Sequence, residues 1–488
     1  MAYEGQIAEI PVGLKGLTGS KNQSQISIEE LLEALNVTFE NGTIQKEGGS
    51  TKYNSSAISG APALLGGFDW FPSVGTQRMI VFTGDGKLLR DDGAGSFSTT
   101  LASGLTVGTD MVPIFVASGR EAAALNRKLF IFTGSNQVKV LSGDGATVAN
   151  ISTPPADWAS SFPTVGLAHE GRIWGAGNAN DPHRFYYSTA TDHENLTGAG
   201  SGTVTVFPGE GERIAAAISF KGLIIVFKYP KGIYIIDTTD PTIANWKVSR
   251  ISEHIGAAGP GCIVAVDDDI MTLDQTGKIF LASTVTEFGN LGTSPFLGER
   301  YFSTFIKDNI NLASLRTSRM VYYVSKREVH ISVGEKPSAS TNARVVLDFN
   351  GLQPRFRYSN KDSSRSLWLR LDADGVPRLI SGDSSGFVWR LDQESRNVDG
   401  NAYSGQFRIP NTDLGFVDPT LAVKRKNGDF LELVVEPKGN WNLDVEVFWD
   451  DKSYGSISFN MGTTGSTLGS FILDTDRLGS ESVKSKRR

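Results

Sequence analysis

Three groups of side chains in this sequence have types and spacings that invite chemistry. Acidic runs occur at Asp267-Asp268-Asp269 and at Asp372-Ala373-Asp374-Gly375. A calcium loop needs oxygen ligands alternating over about 12 residues and ending in a bidentate acid. Neither run continues that way, so both read as solvated loops. The five histidines, His169, His183, His193, His254 and His330, share no close ligand spacing. His183 and His193 come nearest, in a loop rich in Asn and Asp, and no metal is expected there. Tyr186-Tyr187 and Tyr322-Tyr323 are the available phenols, but both pairs lie in strand-like runs where aromatic rings pack. No two carboxylates are singled out by spacing as an acid and base for glycoside hydrolysis. Gly13-Leu-Lys-Gly-Leu-Thr-Gly-Ser-Lys21 has the glycines of a phosphate loop without its spacing or helix. The single cysteine, Cys262, excludes an intramolecular disulfide and a cysteine zinc site. The expectation is therefore no catalytic residue, no cofactor and no metal, in a protein that is not an enzyme.

What positions these residues is a repeated strand phrase. Arg78-Met-Ile-Val-Phe-Thr-Gly84 is echoed by Arg127-Lys-Leu-Phe-Ile-Phe-Thr-Gly134, and weaker copies begin at Gly171, Lys221, Asp268, Arg319 and Arg378. The intervals are roughly 45 to 51 residues, with a last one of about 59, and strand-rich units of that period indicate propeller blades. A blade is a small sheet that cannot bury both faces alone, so several must pack in a ring. Glycine supports this, at 54 of 488 residues, well above the usual ~7%. Many of these glycines lie in Gly-Asp-Gly and Asn-Gly clusters suited to tight hairpins.

The predicted fold is all-β: a β-propeller of about seven blades, with six as the alternative, and a small C-terminal β-sandwich. Residues 1–50 are assigned to an N-terminal arm, a short helix and a hairpin. The helix is expected from the capping-box form of Ser27-Ile-Glu-Glu30 ahead of Leu31, Leu32 and Leu35. The hairpin is expected around Asn41-Gly42, between Asn36 and Lys46, with a strand that helps close the ring or docks on its rim. Residues 51–400 form the propeller and 401–488 the antiparallel sandwich. In Trp441–Trp449, Leu443, Val445, Val447 and Trp449 alternate with Asp444 and Glu446, as in a half-buried strand. Lys424-Arg-Lys426 reads as a charged hairpin edge, and Lys484–Arg488 as a solvated basic tail.

A net charge of −6 excludes a general nucleic-acid binder with a basic face. No apolar run approaches the ~20 residues of a membrane span, and no secretory signal is legible. Ser381-Gly-Asp383-Ser-Ser-Gly386-Phe-Val-Trp389 resembles the Asp-box of sialidases and other propeller hydrolases, with one residue more between Asp and Gly. The Asp-box is itself a structural hairpin, so Asp383 is expected to hold a turn.

Three further features occur in one order along the chain. Leu35-Asn36 through Gly42, Lys46 and Gly48-Gly49 comes first, then hairpins of the Phe-Thr-x-x-Gly form and the blade Gly222–Asp237, then Leu473-Asp-Thr-Asp-Arg-Leu-Gly479. This pattern resembles the β-propeller tail proteins of short-tailed bacteriophages, the tail nozzle or packaged-DNA-stabilising group. The resemblance implies a structural virion protein made in the host cytoplasm and built into the phage tail. It implies a homo-oligomeric ring, a hexamer, bound to a portal-side tail adaptor protein and with tail fibres as further partners. Packaged DNA is retained and then ejected through the ring without specific binding. A mildly acidic chain suits such a conduit, because each phosphate neutralised would add affinity and slow exit. Relatives of this kind continue after the Leu-Gly stretch with a basic turn and further strands, so a neighbour's strand is one expectation for closing the sandwich. The arm and the last residues are expected at subunit contacts.

The competing reading is a glycan- or receptor-binding propeller, a lectin or inactive sialidase-like module, with Trp389, Trp441 and Trp449 stacking on sugars and Asp450 and Asp451 as hydroxyl partners. A propeller scaffold for protein contacts is a third.

Overall fold

The computed structural model describes residues 15–18, 26–40, 42–118, 127–143, 145–281, 303–351, 354–412, 430–435, 441–449, 452–460 and 481–486. Strand makes up 48% and helix 5%, which settles the all-β class. The chain divides into two units, Val12–Arg408 and a second formed by Met1–Pro11 with Ile409–Arg488.

Six sheets of the larger unit are plain antiparallel blades, a six-bladed β-propeller arrangement. The first blade contains Leu64–Ser73, Thr76–Thr83, Leu88–Arg90 and Thr99–Ala102. The second runs from Ile114–Ala117 to Thr147–Asn150, the third from Val165–His169 to Gly202–Thr205, and the fourth from Arg213–Phe220 to Lys247–Ser252. The fifth shows three strands, Ile263–Val266, Asp269–Leu273 and Ile279–Leu281. The sixth takes Ser366–Leu371, Pro377–Gly382 and Val388–Gln393 from one end of the unit and Gly49–Lys52 from the other.

Between the fifth and sixth blades lies an eight-stranded sheet. Its meander of Met320–Tyr323, Glu328–Val333, Ala343–Asp348 and Arg355–Ser359 is blade-like. Four short strands extend it: Gly16–Leu17, Glu30–Leu31, Glu33–Leu35 and Gln406–Arg408. Gly16–Leu17 and Glu33–Leu35 both run parallel to Arg355–Ser359. The first strands of the blades follow one another in a closed circle, and Met320–Tyr323 takes a place in it between the fifth blade and the sixth. The seven strand phrases thus map onto six regular blades and this enlarged sheet.

Hydrophobic clusters fill the junctions between neighbouring blades. Trp70, Phe82, Leu129 and Ile131 fill the space between the first and second blades, and Phe130, Phe132, Trp158 and Ile173 that between the second and third. Trp174, Phe185, Val226 and Tyr234 join the third to the fourth. Leu64, Met79, Val81, Trp368 and Ile380 join the first to the sixth. Two glycines act here as seats for aromatic rings rather than as turn residues. A Cβ on Gly166 would stand 2.2 Å from the Phe132 ring, and one on Gly67 would stand 2.5 Å from Trp368.

Two expectations need correction. Ser27 and Glu30 do bond as a capping box would, the Ser27 amide donating to Glu30 Oε2 at 2.9 Å, but they close a turn and not a helix. Leu31 then enters a short strand paired with Gly16–Leu17, and Ala34 and Leu35 one paired with Arg355–Ser359 and Gln406–Arg408, because this pairing outweighs local helix preference. The hairpin Val37–Glu40 and Thr43–Lys46 forms as its pattern required, with Gly42 at φ +76°. It does not close the ring but stays a separate two-stranded sheet lying against Arg355–Ser359, and the strand that completes the sixth blade is the following one, Gly49–Lys52. Asn41, most of the arm and Lys424–Lys426 lie outside the described residues.

In the smaller unit, two antiparallel pairs are described: Phe430–Val435 with Glu481–Lys486, and Asn442–Trp449 with Lys452–Asn460. The basic residues of the tail thus enter a strand pairing within the chain as far as Lys486. The predicted alternation breaks at a register shift between Glu446 and Phe448, which leaves Val447 42% exposed.

Candidate functional site

Asp383 sits in the turn between the second and third strands of the sixth blade and accepts from four donors. These are the amides of Ser385 (2.8 Å) and Phe387 (2.9 Å), the Ser385 hydroxyl (2.9 Å) and Trp389 Nε1 (3.0 Å). Asp274 does the same in the fifth blade, taking the amides of Thr276 (2.8 Å) and Lys278 (2.9 Å). Asp372 holds the turn between the first two strands of the sixth blade, accepting the Asp374 and Val376 amides at 3.0 and 2.9 Å. Such aspartates satisfy backbone donors that a tight turn leaves unpaired. The Asp-box-like segment is a structural turn.

The other residues singled out by the sequence are dispersed. His169 is held at both ring nitrogens, by Ser219 Oγ and Thr238 Oγ1, each at 2.7 Å. His193 Nε2 meets the Gly171 carbonyl at 2.9 Å, whereas His183 Nδ1 lies 3.2 Å from Lys228 Nζ, so the two loop histidines do not converge. Lys228, fully buried, also donates to the carbonyls of Phe207 (2.7 Å) and Glu210 (2.6 Å), and burial pulls its pKa down to about 8. Tyr186 packs on Trp158 and Tyr187 on Trp174, and Tyr322 donates to Asp267 at 2.7 Å. Among the described residues no group of three or more His, Cys, Asp or Glu is placed to hold a metal. Trp389 gives its indole N–H to Asp383 and its face to Lys52 Nζ, 5.5 Å from the ring centre. Trp441 is half-buried, and nothing of the Trp449, Asp450 and Asp451 side chains is described.

Two constellations that the sequence reading missed are more coherent. The first crosses the propeller axis. Arg316, from the segment ahead of the enlarged sheet, donates to Asp110 Oδ2 at 3.3 Å and to the Tyr229 hydroxyl at 3.0 Å. Asp110 precedes the second blade and Tyr229 ends a strand of the fourth, so the guanidinium spans the mouth of the ring. Arg319 reaches the Pro113 carbonyl in the second blade, and a Cβ on Gly66 of the first would lie 3.1 Å from its terminal nitrogen. Burial lowers the Arg319 pKa to about 10, which leaves it charged at neutral pH. Beside Arg316 opens a cavity of about 1000 Å³ lined by Tyr229, His254, Asp274, Lys278, Phe280 and Lys307, among others.

The second is a buried charge lattice where the enlarged sheet meets the N-terminal segment. Glu328, His330 and Ser332 share one face of their strand, aligned with Asp348, Val346 and Arg344 and then with Arg355, Arg357 and Ser359. Glu47 lies over that face, 2.9 Å from Arg357 Nη1, 3.0 Å from Lys361 Nζ and 3.5 Å from Arg344 Nη2, and accepts from Ser359 Oγ at 2.6 Å. Arg357 also reaches Glu328 at 2.7 Å, and Arg344 reaches Asp362 at 2.7 Å. Three carboxylates (Glu47, Glu328, Asp362) therefore meet three cations (Arg344, Arg357, Lys361), all with side chains at most 5% exposed. Burial pushes the Glu47 carboxyl up, but Lys361, Arg344, Arg357 and the Ser359 hydroxyl together hold it well below the ordinary range. Glu328 is likewise brought down to about 2, its desolvation outweighed by Arg357 and His330. Burial lowers the His330 pKa against the pull of Glu328. The neutral ring donates from Nε2 to Glu328 at 3.0 Å and accepts from Arg344 Nη1 at Nδ1, 3.2 Å away. The period-2 polar pattern in Arg355-Phe-Arg-Tyr-Ser359 was a signal for a polar face, but nothing local in the sequence pointed to Glu47, about 310 residues away.

No protein-family model matches the chain, and no curated protein is similar to it. Among solved structures, it is similar to the computationally designed Ika8 protein at 10% identity, over 70% of this chain and 100% of that one, with a TM-score of 0.40. It is also similar to BamB from Moraxella catarrhalis at 15% identity, over 73% and 96% of the two chains, again with a TM-score of 0.40.

Proposed function

We propose that this chain is a structural virion protein, the nozzle or hub ring at the distal end of a short-tailed phage, which retains packaged DNA and forms the conduit for its ejection. The observation that carries the reading is the order of sequence features: an N-terminal Leu-Asn-Gly-Lys-Gly segment, repeated propeller hairpins, and Leu473-Asp-Thr-Asp-Arg-Leu-Gly479 near the C-terminus. The placement of the reactive side chains supports it. Asp383, His169, His330, Tyr322 and Trp389 each have partners inside the fold, and the lattice around Glu47 is neutral in sum and closed to solvent.

The arginines across the axis bear on where DNA would pass. With Arg316 and Arg319 spanning it, the propeller's own channel is no path for a duplex, so the conduit runs between subunits, along the axis of an assembled ring. The net charge of −6 per subunit would keep that passage from gripping phosphates. The glycan-binding alternative is opposed by Trp389, whose ring face and indole N–H are both engaged.

Native mass spectrometry of the purified chain, alone and with the portal-side adaptor, tests this reading. A closed homo-oligomer, expected as a hexamer, that binds the adaptor supports it. A monomer indifferent to the adaptor, or turnover of a sialyl or other glycoside substrate, overturns it.

A further inference from the structure

The described residues of 15–52 bond to the propeller within residues 326–408. Among the described residues, the strand pairings that this segment makes outside itself go to 355–408. Gly16 and Leu35 align with Phe356 and Tyr358, Glu33–Leu35 pairs with Gln406–Arg408, and Gly49–Lys52 pairs with Val388–Gln393. No strand of the first five blades pairs with it.

The ring is joined beneath this segment by other groups. The Leu64 amide donates to the Asp383 carbonyl at 2.8 Å, and Ser366 Oγ donates to the Leu64 carbonyl at 2.9 Å. The Leu371 amide donates to Asp69 at 2.9 Å, and Trp368 lies on Gly67. The sixth and first blades thus stay joined through their inner strands, whether or not the outer strand Gly49–Lys52 is in place.

We propose that the described strands of this segment, Gly16–Leu17, Glu30–Leu31, Glu33–Leu35 and Gly49–Lys52, form a strap that opens as one unit while the inner ring stays closed, with Glu47 as its latch. Glu47 is the strap's carboxylate in the charge lattice, where it meets Arg344, Arg357 and Lys361. When the strap lifts, those three cations keep only Glu328 and Asp362, and the lattice gains an uncompensated positive charge. The latch therefore resists opening strongly, and a change at that one side chain should release the strap without touching the blades. Local opening of a segment with few anchoring regions, distinct from global unfolding, is a general property of folded chains.

Hydrogen exchange of the full chain, followed by mass spectrometry, tests this. In the native protein, amides of 30–40 and 49–52 should exchange through one opening separate from that of the first four blades. Glu47→Gln keeps the shape and removes the charge, and should speed exchange of those strap amides by about 100-fold. Exchange in 64–252 should stay within about twofold of the native rate. Ser50→Ala, which removes only the 3.1 Å bond from Ser50 Oγ to Asp362, serves if Glu47→Gln does not fold, and should accelerate the same amides by a few fold. One common rate for strap and blades in the native protein, or equal acceleration of both in either variant, would overturn the proposal.

Discussion

The first four blades and the enlarged sheet bury their inner strands with opposite chemistry. Between the blades the filling is aromatic and aliphatic, as with Phe130, Phe132, Trp158 and Ile173. In the enlarged sheet, all six residues of both Glu328–Val333 and Ala343–Asp348 are buried, yet they include Glu328, His330, Arg344 and Asp348. A blade face can pack against its neighbour with non-directional contacts, so any well-filled apolar pair serves. A lattice of buried charge tolerates only the partner that neutralises it, because each ion left alone keeps its full desolvation cost. The blades close by repetition, and the enlarged sheet closes by selecting one distant segment.

The largest expected effect breaks that contrast at its charged end. Arg357→Met leaves Glu47 and Glu328 without their shared cation and should destabilise the protein by about 3–5 kcal/mol in chemical denaturation. A loss under about 1 kcal/mol would mean that the lattice is not a selective closure. Next in size is acid sensitivity. His330 has a folded pKa below its ordinary ~6.5, so its stabilising contribution is complete above that value and declines as pH falls through the interval beneath it. Glu328, lowered from 4.5 to about 2, adds a second loss that begins near 4.5 and continues towards 2. His330→Gln should flatten the upper part of the stability curve and leave the lower part, and thermal unfolding between pH 7 and 3 distinguishes the two limbs.

Gly166→Ala tests the apolar end. Its new methyl would collide with Phe132, and overpacking of this kind costs about 1–3 kcal/mol. Asp383→Ala and Asp274→Ala should each cost about 1 kcal/mol or slightly more, since both remove the acceptor of a tight turn. Unequal losses would show that the turns of the fifth and sixth blades are not equivalent. The smallest change is Val74→Thr, at a fully exposed hairpin tip, which should stay within about 0.5 kcal/mol of the native protein.

The same contrast explains what the sequence made legible. The phrase at Arg78–Gly84 and its copies could be read because a blade's signals are local and repeat: a period-2 strand, a turn aspartate, a glycine, another strand. The fate of Asp383 was legible for that reason. The placement of Ala34 and Leu35 was not, since their strand partners come from residues 355–408 and no local pattern announces a pairing at that distance. The glycines showed both limits. Gly42 was read correctly from its turn, whereas Gly67 and Gly166 have ordinary strand surroundings and are explained only by the aromatic rings of neighbouring blades. Val447 failed as a core position because a bulge changes the face that a residue presents, and bulges leave little trace in composition. The arginines across the axis were hidden because a contact across the ring joins Arg316 to Asp110 over about 200 residues.

The proposed function makes these blades the walls of a subunit in a ring whose passage lies between chains. Negative-stain imaging of the purified full chain with the proposed portal-side adaptor tests this most directly. The account predicts closed rings of identical propellers around a central opening wide enough for a DNA duplex. Single discs with no common opening, unchanged when the adaptor is added, would contradict it.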